Sequence, residues 1–459
     1  MLFSLFASLH KISCLSSQMA NLCAHDARHS HTWQNQTLTH KVPFERKILL
    51  HLASDSYKGG AESVFRNTIE SSLDSKAFNV FVASCDVAPP CNIAPSQFLR
   101  LDDWEQYPKI RGAFKYIFNY TNYARLKTFL FTHKPHIIHT QNYLSRLSPS
   151  VLFALRAYKR AYPRTRLIYT EHGYAPCANG GLYNYAIQHT CEYCIGRCKL
   201  AIMWKNCDRR GRIYSILKGI RTLFYQGIFL NTKTLFDKVL CVGSFQLQKH
   251  LDDGWDRAKL QVLTNPIEMR FYNPLVKLSN KQDVLVFFGR LSAEKNITLL
   301  IEAFANLIKK PNFAHFKLLI IGKGDDRARC ENLARRTMQA SSYDFLGNLK
   351  PEEIKAILQI AKLSITPSLC YETFGLSIVE SMLAGCPALV SNLPELSITA
   401  KRFGGFSFND LQSSLEALLI NYPRTFALFT SKRTRAIKSL RQKPYMQGLL
   451  DAYFNGGII

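Results

Sequence analysis

The chain has 459 residues, of which 47% are hydrophobic and 20% charged; this excludes a disordered polyampholyte and leaves room for two domains with separate cores. Its 59 Lys and Arg against 33 Asp and Glu give a formal charge of +26, which calls for an anionic partner such as nucleic acid, acidic lipid or a phosphorylated substrate. The basic residues are spread without a long tail, favouring lipid or substrate over a nucleic-acid groove, and no apolar run reaches the roughly 18 residues of a membrane helix.

Residues 1–45 begin with the apolar MLFSLFASL, without a basic start or a clean small-residue cleavage site, and continue without periodicity. They are expected to be a poorly ordered extension outside the fold. From Arg46 the pattern changes. RKILLHLA reads as a buried strand, SDSYKGGAES as a glycine-rich turn and residues 61–73 as a helix, the opening of a βαβ unit. Gly59 and Gly60 allow backbone to approach a ligand, although a plain turn explains them equally well. Strands are predicted at 79–84, 136–140 and 166–171, with helices over 120–133 and 147–162, so a mainly parallel sheet covered on both faces is expected.

Residues 109–131 interleave Phe114, Tyr116, Phe118, Tyr120 and Tyr123 with Lys109, Arg111, Lys115, Arg125 and Lys127. The mixture suits a helix lying in an anionic membrane interface, and equally a helix packed on the sheet with a solvated basic edge. The strand RLIYTE runs into His172 and Gly173, and a polar residue at the carboxyl end of a parallel strand points to a ligand contact. An insert over 176–210 carries Cys177, Cys191, Cys194, Cys198 and Cys207. The CxxC spacing suits a structural zinc with further ligands among the remaining cysteines and His189; disulfides or reduced thiols in a hydrophobic knot are the alternatives. Strands at DKVLCV and KLQVL then lead to Asn265-Pro266, where the first domain (46–266) is expected to end.

The second half repeats the alternation over 267–425 and is followed by a helical tail at 426–459. DVLVFF, FKLLIIG, YDFLG and LSIT read as strands, with helices over 293–309, 327–339 and 351–361 between them, and further helices at 411–420 and 445–454. Arg290 and Lys295 flank a strand-to-helix turn and can reach one point above the sheet, as two adjacent phosphates require. In PSLCYETFGLSIVESMLAGCPALVSNLP, Glu372 lies in a loop and Glu380 on a helix over 376–384 that Gly385 and Pro387 end. The free N–H groups of Thr373, Phe374, Gly375 and Leu376 favour an anion, and the two carboxylates suit sugar hydroxyls. Together they indicate a phosphorylated sugar.

The motifs GGAES, EHG, NPIE, GRLSAEKN, IIGKGD, FLGNLKPEEI and ETFGLSIVE with AGCPALVS run in that order from about Lys47 to Leu396. In this the chain resembles the retaining glycosyltransferases of family 4, the glycosyl transferases group 1. The resemblance implies an α/β protein of the GT-B fold, with two Rossmann-like doubly wound domains facing across a cleft. The first would take the acceptor and the second a nucleotide-sugar donor. It further implies that Arg290 and Lys295 hold the donor diphosphate, that Glu372 binds the transferred sugar with the N–H groups of Phe374, Gly375 and Leu376, and that Glu380 binds the ribose. His172 would lie near the reacting carbon, Gly60 would close over the phosphates and Gly322 would bound the nucleoside. No cofactor would be required for the chemistry. The acceptor would be a saccharide or lipid-linked saccharide in surface polysaccharide or glycolipid biosynthesis, handled in the cytoplasm on the inner face of the cell membrane. Gly173 departs from the family, which more often has Asp there. The rival readings are a nucleotide-sugar epimerase or hydrolase on the same fold, and a zinc-stapled nucleic-acid-binding protein. The latter would explain charge and cysteines but not two Rossmann-like halves.

Overall fold

The computed structural model describes residues 46–56, 59–442 and 445–454. The expected extension over 1–45 lies outside the described residues. The first domain contributes β1 (Lys47–Leu52), β2 (Phe78–Ser84), β3 (Phe98–Arg100), β4 (Ile137–Gln141) and β5 (Arg166–Glu171), then a short antiparallel hairpin of β6 (Tyr183–Asn184) and β7 (His189–Thr190), then β8 (Lys238–Cys241) and β9 (Leu260–Val262). Its sheet runs β3-β2-β1-β4-β5-β8-β9 with every pairing parallel. Leu49, Leu50 and Leu52 of β1 are fully buried, as expected of a strand covered on both faces. The helix Gly60–Asp74 lays Val64, Phe65, Thr68, Ile69 and Ser72 on that sheet, one apolar stripe at helical spacing.

Residues 109–131 form two helices, Lys109–Ile117 and Tyr120–His133. Phe118 is extended, and the Asn119 side chain accepts a hydrogen bond from Asn122 N–H, so a cap restarts the helix where periodicity alone would continue it.

The second domain contributes β10 (Gln282–Phe288), β11 (Lys317–Ile321), β12 (Tyr343–Gly347), β13 (Ala361–Thr366), β14 (Ala388–Ser391) and β15 (Phe406–Phe408). They are ordered β12-β11-β10-β13-β14-β15, again all parallel. The helix expected from 293 begins at Ile297: Ala293–Lys295 is a single tight turn, and Asn296 takes a left-handed conformation with φ 52°. The helix Leu376–Ala384 has the expected bounds. The helix Tyr422–Gln442 falls largely within the helical tail expected over 426–459, whereas the helix Pro394–Phe403 and the strand β15 were not expected.

The two terminal helices go to different domains. Tyr422–Gln442 packs Phe426, Phe429, Ala436 and Ile437 into the core of the second domain. Tyr445–Phe454 returns to the first, where Leu449, Ala452 and Tyr453 pack with Leu49, Val80 and Val82. Among the described residues no helix is long and apolar enough to cross a membrane.

Candidate functional site

A cavity of about 860 Å³ lies at the carboxyl ends of the strands of both sheets. Gly60 and His172 enter it from the first domain, and Arg290, Lys295, Gly322, Glu372, Phe374, Gly375 and Leu376 from the second. The strand ends can meet there because of Gly322. It has φ 134°, and a Cβ on it would stand 1.8 Å from the Gly289 carbonyl oxygen. Gly375, at φ 81°, turns the chain into the helix Leu376–Ala384, which starts with no side-chain cap and no acidic residue in its first turn. Its leading N–H groups therefore remain for a ligand. The helix Gly60–Asp74 begins on the facing wall, and a Cβ on Gly60 would lie 3.2 Å from Leu376 Cδ1, so two helix N-termini meet across the cleft.

Of the three cations that line the cavity, Arg290 and Lys295 are held by carboxylates. Arg290 Nη2 donates to Glu294 Oε1 at 3.0 Å; Glu294 is buried while the Arg290 side chain is mostly exposed. Lys295 is ion-paired with Glu372 Oε1, which also accepts from Ser368 Oγ at 3.0 Å. Burial works against both charges of that pair. For Lys295 the carboxylate outweighs burial and leaves the pKa raised; for Glu372 the ammonium outweighs it and leaves the pKa lowered. Burial alone brings His172 down to about 4, so the ring is neutral at physiological pH. Its Nε2 lies 2.9 Å from Gln141 Oε1, which selects the Nε2–H tautomer.

The reading of the sequence missed the contacts that seat His172 against Glu372. Tyr174 OH donates to the Glu372 carbonyl at 3.0 Å, and Thr373 Oγ1 to the His172 carbonyl at 3.3 Å. Gln246 Nε2 donates to the carbonyls of Glu171 and Gly173 at 2.9 and 2.5 Å. Each polar group sits far in sequence from its partner, and only the adjacency of Tyr174 to the EHG motif hinted at one of them.

Glu380 does not line the cavity. It lies within electrostatic reach of Glu268 and Arg270, and burial together with Glu268 raises its carboxyl to about 7. The five insert cysteines are free thiols, and among the described residues no group of three or more His, Cys, Asp or Glu side chains is placed to hold a metal ion. Cys177 and Cys194 pack together with Tyr174, Leu182 and Tyr371, whereas Cys198 is exposed.

A second cavity of about 290 Å³ shares His172 with the first and is lined on its far side by Tyr116, Arg210, Lys218 and Arg221. Of these four the sequence singled out only Tyr116, and that as part of the interleaved aromatic and basic stretch over 109–131 rather than of a cavity.

Two facing parallel sheets with a cation-lined cavity between their carboxyl ends define a GT-B protein. Residues 273–409 match the family described as Glycosyl transferases group 1. An uncharacterized glycosyltransferase of Methanocaldococcus jannaschii is 31% identical over 118 residues, covering 26% of this chain and 29% of that protein. The alpha-monoglucosyldiacylglycerol synthase of Streptococcus pneumoniae is 27% identical over 204 residues, covering 41% and 45%. The chain spans half or less of the length of these and the other curated relatives it matches. The crystal structure of Anabaena Alr3699/HepE in complex with UDP shares the fold, with a TM-score of 0.58, 14% identity, and coverage of 85% of this chain and 95% of that one.

Proposed function

We propose that the chain is a retaining glycosyltransferase that moves a sugar from a nucleoside-diphosphate sugar to a hydroxyl of a saccharide or lipid-linked saccharide. One observation carries this reading: Arg290, Lys295 and the uncapped start of the helix Leu376–Ala384 converge on one cavity, opposite His172. A sugar leaving a diphosphate passes through an oxocarbenium-like state while negative charge builds on the phosphate oxygens. Fixed cations and a helix N-terminus stabilise that charge more than the ground state. A bound diphosphate would compete with Glu372 for Lys295 and release the carboxylate to accept hydrogen bonds from the sugar. His172, neutral and fixed by Gln141, would face the reacting carbon without adding a cation beside it. The meeting of Gly60 and Leu376 across the cleft would exclude water during transfer.

The test is thermal melting and calorimetry with UDP, GDP, ADP and their sugars. One nucleoside diphosphate should raise the melting temperature, and Arg290→Ala and Lys295→Ala should each weaken its binding about tenfold or more. Absence of binding by every nucleotide would remove the reading. Epimerisation or release of free sugar from the donor alone, at the rate of transfer, would replace it with the epimerase or hydrolase.

The basic and aromatic surface of the first domain supports an anionic membrane as the place of action. Ile110 and Phe114 are 78% and 71% exposed beside the exposed Lys109 and Arg111. Lys115 is engaged elsewhere, 3.3 Å from Asp102 and over the Tyr107 ring. The double change of Lys109 and Arg111 to Glu should therefore reduce sedimentation with phosphatidylglycerol vesicles, and unchanged sedimentation would count against membrane association.

A further inference from the structure

The second cavity holds an unbalanced charge. Arg221 is only 5% exposed, and its Nη1 donates to the Leu144 carbonyl at 3.0 Å while its guanidinium stacks 4.0 Å from the Tyr116 ring centre. Its Nε has no hydrogen-bond partner, and among the described residues no carboxylate lies within ion-pair distance of it. Lys218 is one turn earlier on the same helix, Arg212–Thr222, and so faces the same way. Lys218 and Arg210 share a single acid, Asp208, at 2.8 and 3.2 Å. The other carboxyl on the cavity wall, Glu171, is turned to the Gly173 N–H at 2.8 Å, and burial raises its pKa. Three cations thus face one shared acid and a carboxyl whose charge burial disfavours.

A buried guanidinium without a counter-ion is a costly arrangement unless an anion completes it. The cavity also shares the His172 wall with the proposed donor cavity, so its occupant would be the molecule that meets the donor. We propose that this cavity binds the acceptor through an anionic group, a phosphate or a carboxylate held by Arg221, Lys218 and Arg210, with the accepting hydroxyl directed toward His172. The assignment of the occupant as acceptor rests on the glycosyltransferase reading; the anion site itself does not. A planar guanidinium with its Nε–H and a terminal N–H free on one edge is suited to two oxygens of one anion.

The experiment measures binding of inorganic phosphate, glucose 6-phosphate, glucuronate and glucose to the full chain, wild type and Arg221→Gln, with UDP binding and the melting temperature recorded in parallel. One or more of the anions should bind about tenfold more tightly than glucose, and Arg221→Gln should abolish the difference while changing UDP affinity by less than about twofold. Preference for glucose 6-phosphate assigns a phosphorylated acceptor, and preference for glucuronate a uronate. Equal binding of anions and glucose by the wild type, or a preference that survives Arg221→Gln, overturns the proposal. Where Arg221→Gln melts too early to be read, Arg210→Gln, at a more exposed position, carries the same test. UDP binding with no anion preference would leave the donor reading standing and remove this one; an Arg221-dependent anion preference without nucleotide binding would do the reverse.

Discussion

The ion pair between Lys295 and Glu372 couples the two ends of the proposed donor. Each residue could be picked from its own motif, but their meeting could not, because the two lie 77 residues apart in the chain. Replacing Glu372 with Gln leaves the shape and removes the charge. Nucleoside diphosphate should then bind as well or better, since Lys295 no longer has a competing carboxylate, while transfer falls by about two orders of magnitude, a magnitude typical of losing one positioned polar group in the transition state. Steady-state kinetics and UDP calorimetry on the same variant check both halves, and equal losses in both would contradict the division of roles. Glu380 offers a separate test. Its carboxyl is raised to about 7, so the folded state takes up protons more readily than the unfolded chain between about pH 4.5 and 7. Stability is thereby greatest below that window and declines as pH rises through it. Glu380→Gln should raise stability by about 1–2 kcal/mol at pH 8.5, discounted for partial solvent exposure, and by less than about half as much at pH 5.5. Paired melts at the two pH values decide it.

At the scale of elements, the helix Leu376–Ala384 could be read to its bounds because its signals are local: a loop of turn formers before it, an apolar stripe, and a glycine and proline after it. What secures its end is not local. Arg433, 7% exposed on the helix Tyr422–Gln442, donates to the carbonyls of Met382 and Leu383 at 2.8 and 3.0 Å and to that of Asn273 at 2.6 Å. It caps the site helix and ties it to the segment entering the second domain. Arg433→Met keeps much of the packing and leaves three carbonyls without those donors, which should cost about 2–4 kcal/mol. Chemical denaturation would measure this, and a change below about 0.5 kcal/mol would mean that solvent replaces the guanidinium. The break at Asn119 has the same character: a capping side chain divides a run that composition alone presents as one helix.

At the scale of the molecule, the two sheets were readable because parallel strands buried on both faces must be near-continuous apolar runs, as β1 and β10 are. The return of the last helix was not, because a ten-residue amphipathic stretch carries no label for the core it will join. Its Tyr453 hydroxyl lies 2.8 Å from Nδ1 of His139, whose Nε2 lies 2.7 Å from Thr170 Oγ1; the ring is fully buried between the first sheet and that helix. Burial holds His139 well below its ordinary pKa, His51 at about 3, and His172 and His250 at about 4. Each is neutral in the fold and protonates more readily once unfolded, so the unfolded chain binds the additional protons below about pH 6.5. Stability is therefore complete above that pH and is lost as pH falls, by up to about 1.4 kcal/mol per pH unit for each histidine until its folded pKa is reached. The melting temperature should be flat from pH 8 to 7 and drop steeply from 6.5 to 4.5. His51→Gln should flatten that drop, because Gln keeps a hydrogen-bonding group toward Ser72 Oγ, 3.0 Å from His51 Nε2, without a titrating ring. A chain ending at Gln442 should behave differently: loss of Leu449 and Tyr453 uncovers Leu49 and Val80, and the missing apolar burial, about 1.5–3 kcal/mol for each large side chain, lowers stability at every pH. If the truncated chain instead melted like the full one across the range, the terminal helix would not be part of the first domain's core, and the histidines beneath it would owe their burial to the sheet alone.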